Sequence, residues 1–303
     1  MSLPNPIPPG ATWLISRRCT QRQFWLAPRG PVKRTFGYLV AVLAERYGVN
    51  VHAIIVLSNH HHLLLSDPRG VLPDFLRDLH NLTARSLNAE FGRWENLWAA
   101  ERVGCTQTQT AADTMAKLVY VAGNAVEAGL VEKAADWPGL KSNPRDCLNK
   151  RGRTFKRPTK FFREDGVMPE KATLVMTVPP DFAHLGPHEF ADRFEAALKA
   201  KEAYFQEKMR EADRSFLGVK AVRSTPRTNR PKTKEPRRKL NPRVAAMDRE
   251  VRKAALARLV KFRRQHREAR RAWLEGEPNV VFPAHTFLAR HFPGVRIEEL
   301  AAA

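Results

Sequence analysis

The chain is poor in cysteine and has no long apolar run. Its three cysteines in 303 residues, Cys19, Cys105 and Cys147, are odd in number and far apart. That excludes a disulfide framework and a C-x-x-C metal clip. No stretch approaches the roughly 18 to 20 apolar residues that span a bilayer. The opening MSLPNPIPPGATW has no basic region followed by an apolar run, so no secretion signal is read there. Together these absences lead us to expect a cytoplasmic protein with reduced thiols and no membrane association. A glycine-rich phosphate loop is missing as well, since the turn Asp67-Pro68-Arg69-Gly70 has too few glycines for one. No internal repeat is found. Acidic residues are scarce, 31 against 52 Lys and Arg, for a net charge of +21. What is present is a hydrophobic fraction of 43% with 16 Phe and 6 Trp. That is ample for a packed core and excludes a wholly disordered chain.

The positive excess is unevenly spread. Residues 1–144 carry 15 basic and 11 acidic side chains, whereas residues 145–303 carry 37 and 20. A half with that imbalance is expected to lie along a polyanion. Its densest piece, residues 220–241, holds nine basic residues and one acidic one. It has several prolines and no apolar periodicity, which predicts a flexible basic linker. Arg227, Arg230, Lys232, Lys234, Arg237, Arg238 and Lys239 there, with Arg263 and Arg264 beyond, are the candidate nucleic-acid contacts. Over residues 242–276, Val244, Met247, Val251, Ala255, Leu259 and Phe262 recur at helical spacing among arginines, which predicts a basic amphipathic helix. A lipid-surface role fits that helix less well, because its one Trp, Trp273, sits near its end.

Patterning predicts strands at residues 11–17, 51–58, 60–65 and 171–178, with a weaker one within 97–108. Helices are predicted over 32–47, where Gly48 is placed to cap, over 72–87, 111–128 and 187–205. The two middle strands are joined so closely that they must form a hairpin, so the fold class is α+β with an at least partly antiparallel sheet. The charge and pattern shifts divide the chain into 1–144, an α/β extension at 145–219, the linker at 220–241 and a basic helical region at 242–303. Residues 280–289 suggest a packed element without catalytic chemistry.

The densest chemical feature is Asn59-His60-His61-His62. In a strand, alternate residues share a face, so His60 and His62 point one way and His61 the other. Two neutral imidazoles on one face can bind a divalent metal if a third ligand arrives from elsewhere; equally, such histidines can be no more than hydrogen-bonded core residues. On the helix over 111–128, Tyr120 lies beside the apolar stripe and Asn124 one turn later. An amide oxygen can complete a metal shell. A phenol can attack phosphorus if a metal or base favours the phenolate over its usual pKa of about 10. Packing by the ring with a bonded hydroxyl is the plainer fate of such a tyrosine.

The run YGVNVHAIIVLSNHHHLLLSDPRG, residues 47–70, resembles the signature of the IS200-like transposases, in particular the REP-associated tyrosine transposases, which are HUH single-strand DNA endonucleases. Similar segments follow in order: TWLISRR near the start, Asn96-Leu97-Trp98 against the family's G-H-L-W, YVAGNAVEAGL at residues 120–130 against Y-I-x-x-N-P-V-x-A-G-L, and Trp137-Pro138-Gly139-Leu140-Lys141-Ser142 at the domain's end. The resemblance spans residues 11–143. It implies a ferredoxin-like layer with a central antiparallel sheet and packed helices. It also implies metal ligands at His60, His62 and Asn124, a nucleophile at Tyr120, and Mg²⁺ or Mn²⁺ as cofactor. The implied activity is transposition: nicking and joining of single-stranded or hairpin DNA through a 5′-phosphotyrosine. Departures are His61 at a normally apolar position, Ala125 in place of a proline, Ala99 in place of a polar residue, and the long extension.

Two other classes are weighed. A catalytically inactive DNA-binding protein would keep this fold and the basic half. A small-molecule metal hydrolase would need further ligands of the H-x-H-x-D-H kind, which are absent, since Leu63, Leu64 and Leu65 follow the second histidine. Trp94, Trp98 and Trp137 are candidates to stack on an unpaired base. No small-molecule cofactor is expected, and no pattern selects a monomer or a dimer.

Overall fold

Strand β1 (Thr12–Arg18) buries its first four residues and leaves the rest half-covered. That position, between β3 (His60–Ser66) on one side and β4 (Gly104–Thr108) on the other, makes it the middle of a sheet. β2 (Asn50–Val56) pairs antiparallel with the far side of β3. We describe residues 3–233 and 241–299, as given by a computed structural model. With β7 (Val244–Ala245) on its outer edge, the order β2-β3-β1-β4-β7 forms a five-stranded sheet. With helices α1 (Gly30–Tyr47) and α2 (Leu72–Phe91) as the two crossovers, the first four strands form a ferredoxin-like layer. The fold class is α+β.

Local chemistry sets the element ends. Gly48, at φ 67°, turns left-handed after α1 and donates its N–H to Ala44 and Glu45 carbonyls, a conformation that costs glycine nothing. Asp67 holds the start of α2 by accepting from Leu72 N at 2.6 Å. Thr110 caps α3 (Ala111–Glu127) by accepting from Asp113 N.

The sheet separates two cores. On one face, Trp13, Ile15, Ile54, Leu63 and Leu65 pack beneath α1 and α2 through Phe36, Leu39, Phe75 and Leu79. On the other, Leu14, Ala53, Ile55 and Leu64 pack against Leu118, Val121, Ala122 and Ala125 of α3. Burying each large aliphatic side chain contributes about 1.5–3 kcal/mol, so both faces are firmly specified. A one-residue slip of β3 would exchange them.

The extension is built onto this layer. The hairpin β5 (Arg153–Lys156) and β6 (Lys171–Leu174) lies along α1, where a Cβ on Gly37 would come within 2.4 Å of the Phe155 ring. α4 (Pro187–Glu211) backs α3 with Phe190, Phe194 and Leu198.

Three expectations need correction. The strand over 171–178 ends at Leu174, after which the chain crosses to the sheet edge, where Thr177 N donates to Val51 O at 2.9 Å. The helix over 242–276 begins only at Arg249, as α6 (Arg249–Leu274), because Asp248 caps it by accepting from Val251 N at 2.8 Å. Before it, β7 (Val244–Ala245) pairs parallel with β4 as the fifth strand. The linker segment opens with a short helix, α5 (Val219–Ser224), and Phe24 N donates to Asn229 O, holding the following residues against the layer. Last in the chain, β8 (Val280–Phe282) and β9 (Val295–Ile297) pair beside the end of α6, so residues 280–289 do pack. Among the described residues, no helix is long and apolar enough to cross a membrane.

Candidate active site between the central strand and the third helix

Even-numbered residues of β3 share the face of Leu64, which is the α3 face. His60 and His62 therefore face α3, with ring centroids 4.9 Å apart. Tyr120 projects from α3 toward them. Its hydroxyl lies 3.3 Å from His62 Nε2, and the two rings meet edge to face at 5.0 Å. Asn124, one turn on, is buried and close enough for its side chain to act on both His60 and Tyr120. The four residues singled out in the sequence thus occupy one place.

Burial sets the electrostatics. It pushes His60 down to about 4, outweighing the Asn124 bond that acts the other way. It also holds His62 well below the ordinary imidazole value, helped by the charges His60 would carry. Both rings are neutral at neutral pH, with lone pairs available. The Tyr120 phenol is raised by burial, while the Asn124 bond lowers it and nearby Glu127 raises it. Glu127 is paired with Lys201 of α4 at 2.7 Å. The Lys201 and Lys117 ammoniums lie 5.4 and 5.9 Å from the Tyr120 ring centre.

The other three tyrosines lack such surroundings. Tyr38 donates to Pro169 O, Tyr47 bonds Asp78, and Tyr204 is 54% exposed. Thiol chemistry is also disfavoured, since burial pushes Cys19 up to about 12 and Cys105 to about 11.

The donor set suits a divalent metal. Asn59 Oδ1 lies 2.7 Å from His60 Nδ1, which places the proton there and leaves Nε2 as the ligating atom. Buried His62 Nδ1 has no well-formed partner, although the Ile15 carbonyl favours its protonation. Among the described residues, no three His, Cys, Asp or Glu side chains gather as a metal group. Two imidazoles and an amide would therefore leave positions for water or substrate oxygens.

His61 points to the opposite face. It packs on Phe36 at 4.8 Å, and its Nε2 lies 3.1 Å from His80 Nε2, so one neutral ring donates to the other. His80 is what allows a histidine at this apolar position, and nothing in the local spacing announced it. Also unannounced were Lys201, which comes from the extension, and Asn59 as an orienting group. Lys117, three residues before Tyr120, could have been found from helical spacing.

The candidate nucleic-acid residues separate. Arg227 lines a pocket over the Phe91 ring, while Arg230 and Lys232 are exposed. Arg263 is held by Pro4 O at 3.2 Å and Asn5 Oδ1 at 2.8 Å, whereas Arg264 is exposed on α6. Lys234, Arg237, Arg238 and Lys239 lie outside the described residues. Of the tryptophans, Trp98 and Trp137 are core residues whose indoles donate to His80 O and Val56 O. Trp94 is 87% exposed.

No protein-family model and no curated protein matches the chain. Among solved structures, a REP-associated tyrosine transposase bound to a REP hairpin is similar over 56% of this chain and 96% of its own, at 16% identity and a TM-score of 0.40. A protein described as a transposase, from Deinococcus radiodurans R1, is similar over 37% of this chain and 88% of its own, at 22% identity and a TM-score of 0.28. Neither likeness bears on activity.

Proposed function

We propose that the protein nicks and rejoins single-stranded or hairpin DNA, with Tyr120 as nucleophile and a 5′-phosphotyrosine as intermediate. The observation that carries this reading is the 3.3 Å approach of the Tyr120 hydroxyl to His62 Nε2 within a face also bearing His60 and Asn124. Without a metal the hydroxyl donates to that Nε2 lone pair; a cation held there would replace this bond and favour the phenolate. The transposase resemblance of residues 11–143 points the same way.

In this reading His60, His62 and Asn124 hold Mg²⁺ or Mn²⁺. The metal would supply charge neutralisation at the non-bridging oxygens of the scissile phosphate. Asn59 fixes the His60 tautomer, and Asn124 both favours the phenolate and ties the helix to the strand. Tyr120 Oη gives up its proton to solvent and attacks phosphorus in line, the P–O3′ bond breaks, and the leaving 3′-oxygen takes a proton from water. Attack by a 3′-hydroxyl on the phosphotyrosine reverses these events, so joining needs no external energy source. Lys201 offsets Glu127, which would otherwise oppose the phenolate.

The test is incubation of the full chain with end-labelled single-stranded hairpin DNA and Mn²⁺, followed by denaturing electrophoresis. A covalent protein–DNA band is expected, and Tyr120→Phe should abolish it while retaining DNA binding. Binding without an adduct under any divalent metal would leave a catalytically inactive DNA-binding protein.

A further inference from the structure

Beyond the catalytic face lies a pocket of about 410 Å³ whose lining includes Trp25, Arg29, Phe91, Arg93, Arg227 and Thr228. Its chemistry is unusual for a surface hollow. The Arg93 guanidinium lies 3.6 Å from the centre of the Trp25 ring and that of Arg227 lies 4.2 Å from the Phe91 ring. Arg29 Nη2 donates to Thr225 O at 3.1 Å, holding a third guanidinium in the same wall. Among the described residues, no carboxylate lines the pocket.

Three like charges gathered in one wall repel one another. Burial lowers both Arg93 and Arg227, and Arg29 lowers Arg227 further. Glu95 and Glu90 act on them only from outside the lining. Such a cluster is complementary to an anion, and planar guanidiniums fork onto phosphate oxygens better than ammonium groups would. Stacked on rings, they keep their in-plane N–H groups available and add flat surface for a base. The volume falls within the usual range for small-ligand sites.

The pocket also connects to the catalytic strand. Trp25 belongs to the segment in which Leu26 N donates to Ser58 O at 2.8 Å and Arg22 O accepts from Asn59 Nδ2 at 3.2 Å, immediately before His60. We propose that this pocket binds one nucleotide of the single-stranded DNA, with Arg29, Arg93 and Arg227 on its phosphate and the arginine-faced aromatic wall against its base. The proposal rests on the DNA-processing reading for the identity of the strand. In it, segment 225–229 of the linker completes a site begun by the catalytic layer.

The experiment measures equilibrium binding of a fluorescein-labelled single-stranded oligonucleotide to the full chain carrying Tyr120→Phe, across a salt series. Adding Arg29→Ala and Arg227→Ala together should weaken binding at least tenfold and reduce the salt slope by about one to two. Arg227→Lys, which keeps the charge but not the fork, should weaken it less. Unchanged melting temperature certifies the fold. Unchanged affinity and slope would overturn the proposal. So would displacement of the oligonucleotide by inorganic phosphate or by a polyglutamate peptide as readily as by a competing oligonucleotide. Adduct formation by chains with intact Tyr120 separates the two readings. Adducts alongside neutral pocket variants overturn the pocket alone, whereas pocket-dependent binding with no adduct overturns the nuclease alone.

Discussion

The Tyr120 hydroxyl stands 3.3 Å from His62 Nε2, across the junction of α3 and β3. A phenol raised by burial and a neutral imidazole form a donor–acceptor pair there, not an ion pair. This relationship ties the candidate chemistry to a strand whose two faces are locked into separate cores.

Replacing His62 with Ala should lower the rate of adduct formation by about 10²–10⁴-fold, because one of the three groups that would hold the cation is lost. Oligonucleotide affinity should change by less than about threefold, since the phosphate contacts lie largely elsewhere. Single-turnover kinetics with a labelled hairpin separates the two quantities. A matching loss in binding and rate would remove the imidazole from the chemistry.

Lys201→Met should slow adduct formation by about tenfold, by leaving Glu127 unpaired near the phenol. The double variant Lys201→Met/Glu127→Gln should recover most of that rate. Both measurements come from the same gel assay. Failure of the second change to rescue would mean that Lys201 acts directly on DNA or on packing.

Chelation should abolish the adduct and leave Tm within about 1 °C. Both cores are complete without an ion, so metal is expected to serve chemistry and not folding. Scanning calorimetry with and without chelator, beside the adduct assay, gives both readings. A large loss of Tm would assign the ion a structural role.

Stability should fall as pH drops from about 6.5 toward 4. His52 is buried on β2, bonded to Ser66 Oγ at 3.0 Å and to the Thr177 carbonyl, and burial holds it at about 4. Between that value and the unfolded value near 6.5, the unfolded chain binds a proton that the folded chain refuses. The folded state is therefore favoured fully above 6.5 and loses on the order of 2 kcal/mol by pH 5 through this group. His61 and His80, also held well below the ordinary value by burial, act in the same direction. Urea unfolding at pH 7 and pH 5 measures the loss, and equal midpoints would contradict it.

Much of this arrangement was legible in the residues. Alternation along His60-His61-His62 placed the first and third rings together, because a strand's period of two allows no other outcome. Spacing along α3 put Tyr120 and Asn124 one turn apart. Which face of the sheet α3 covers is a tertiary fact, beyond any local pattern. The same limit hid His80 as the partner of His61 and Lys201 as the partner of Glu127, contacts that span 19 and 74 residues of chain. At Val244 and Met247 the apolar spacing continued the helical period, yet Asp248 capped the helix later and β4 recruited Val244 as an edge strand. The pocket of Trp25, Arg93 and Arg227 likewise draws on three separated segments, none carrying a motif.

The most direct measurement is peptide mapping of the trapped complex. After reaction with hairpin DNA and Mn²⁺, nuclease trimming and proteolysis, tandem mass spectrometry should find a nucleotide 5′-phosphate on Tyr120 and on no other tyrosine. Attachment at Tyr38, Tyr47 or Tyr204, or a cut strand with no protein attached, would contradict the account.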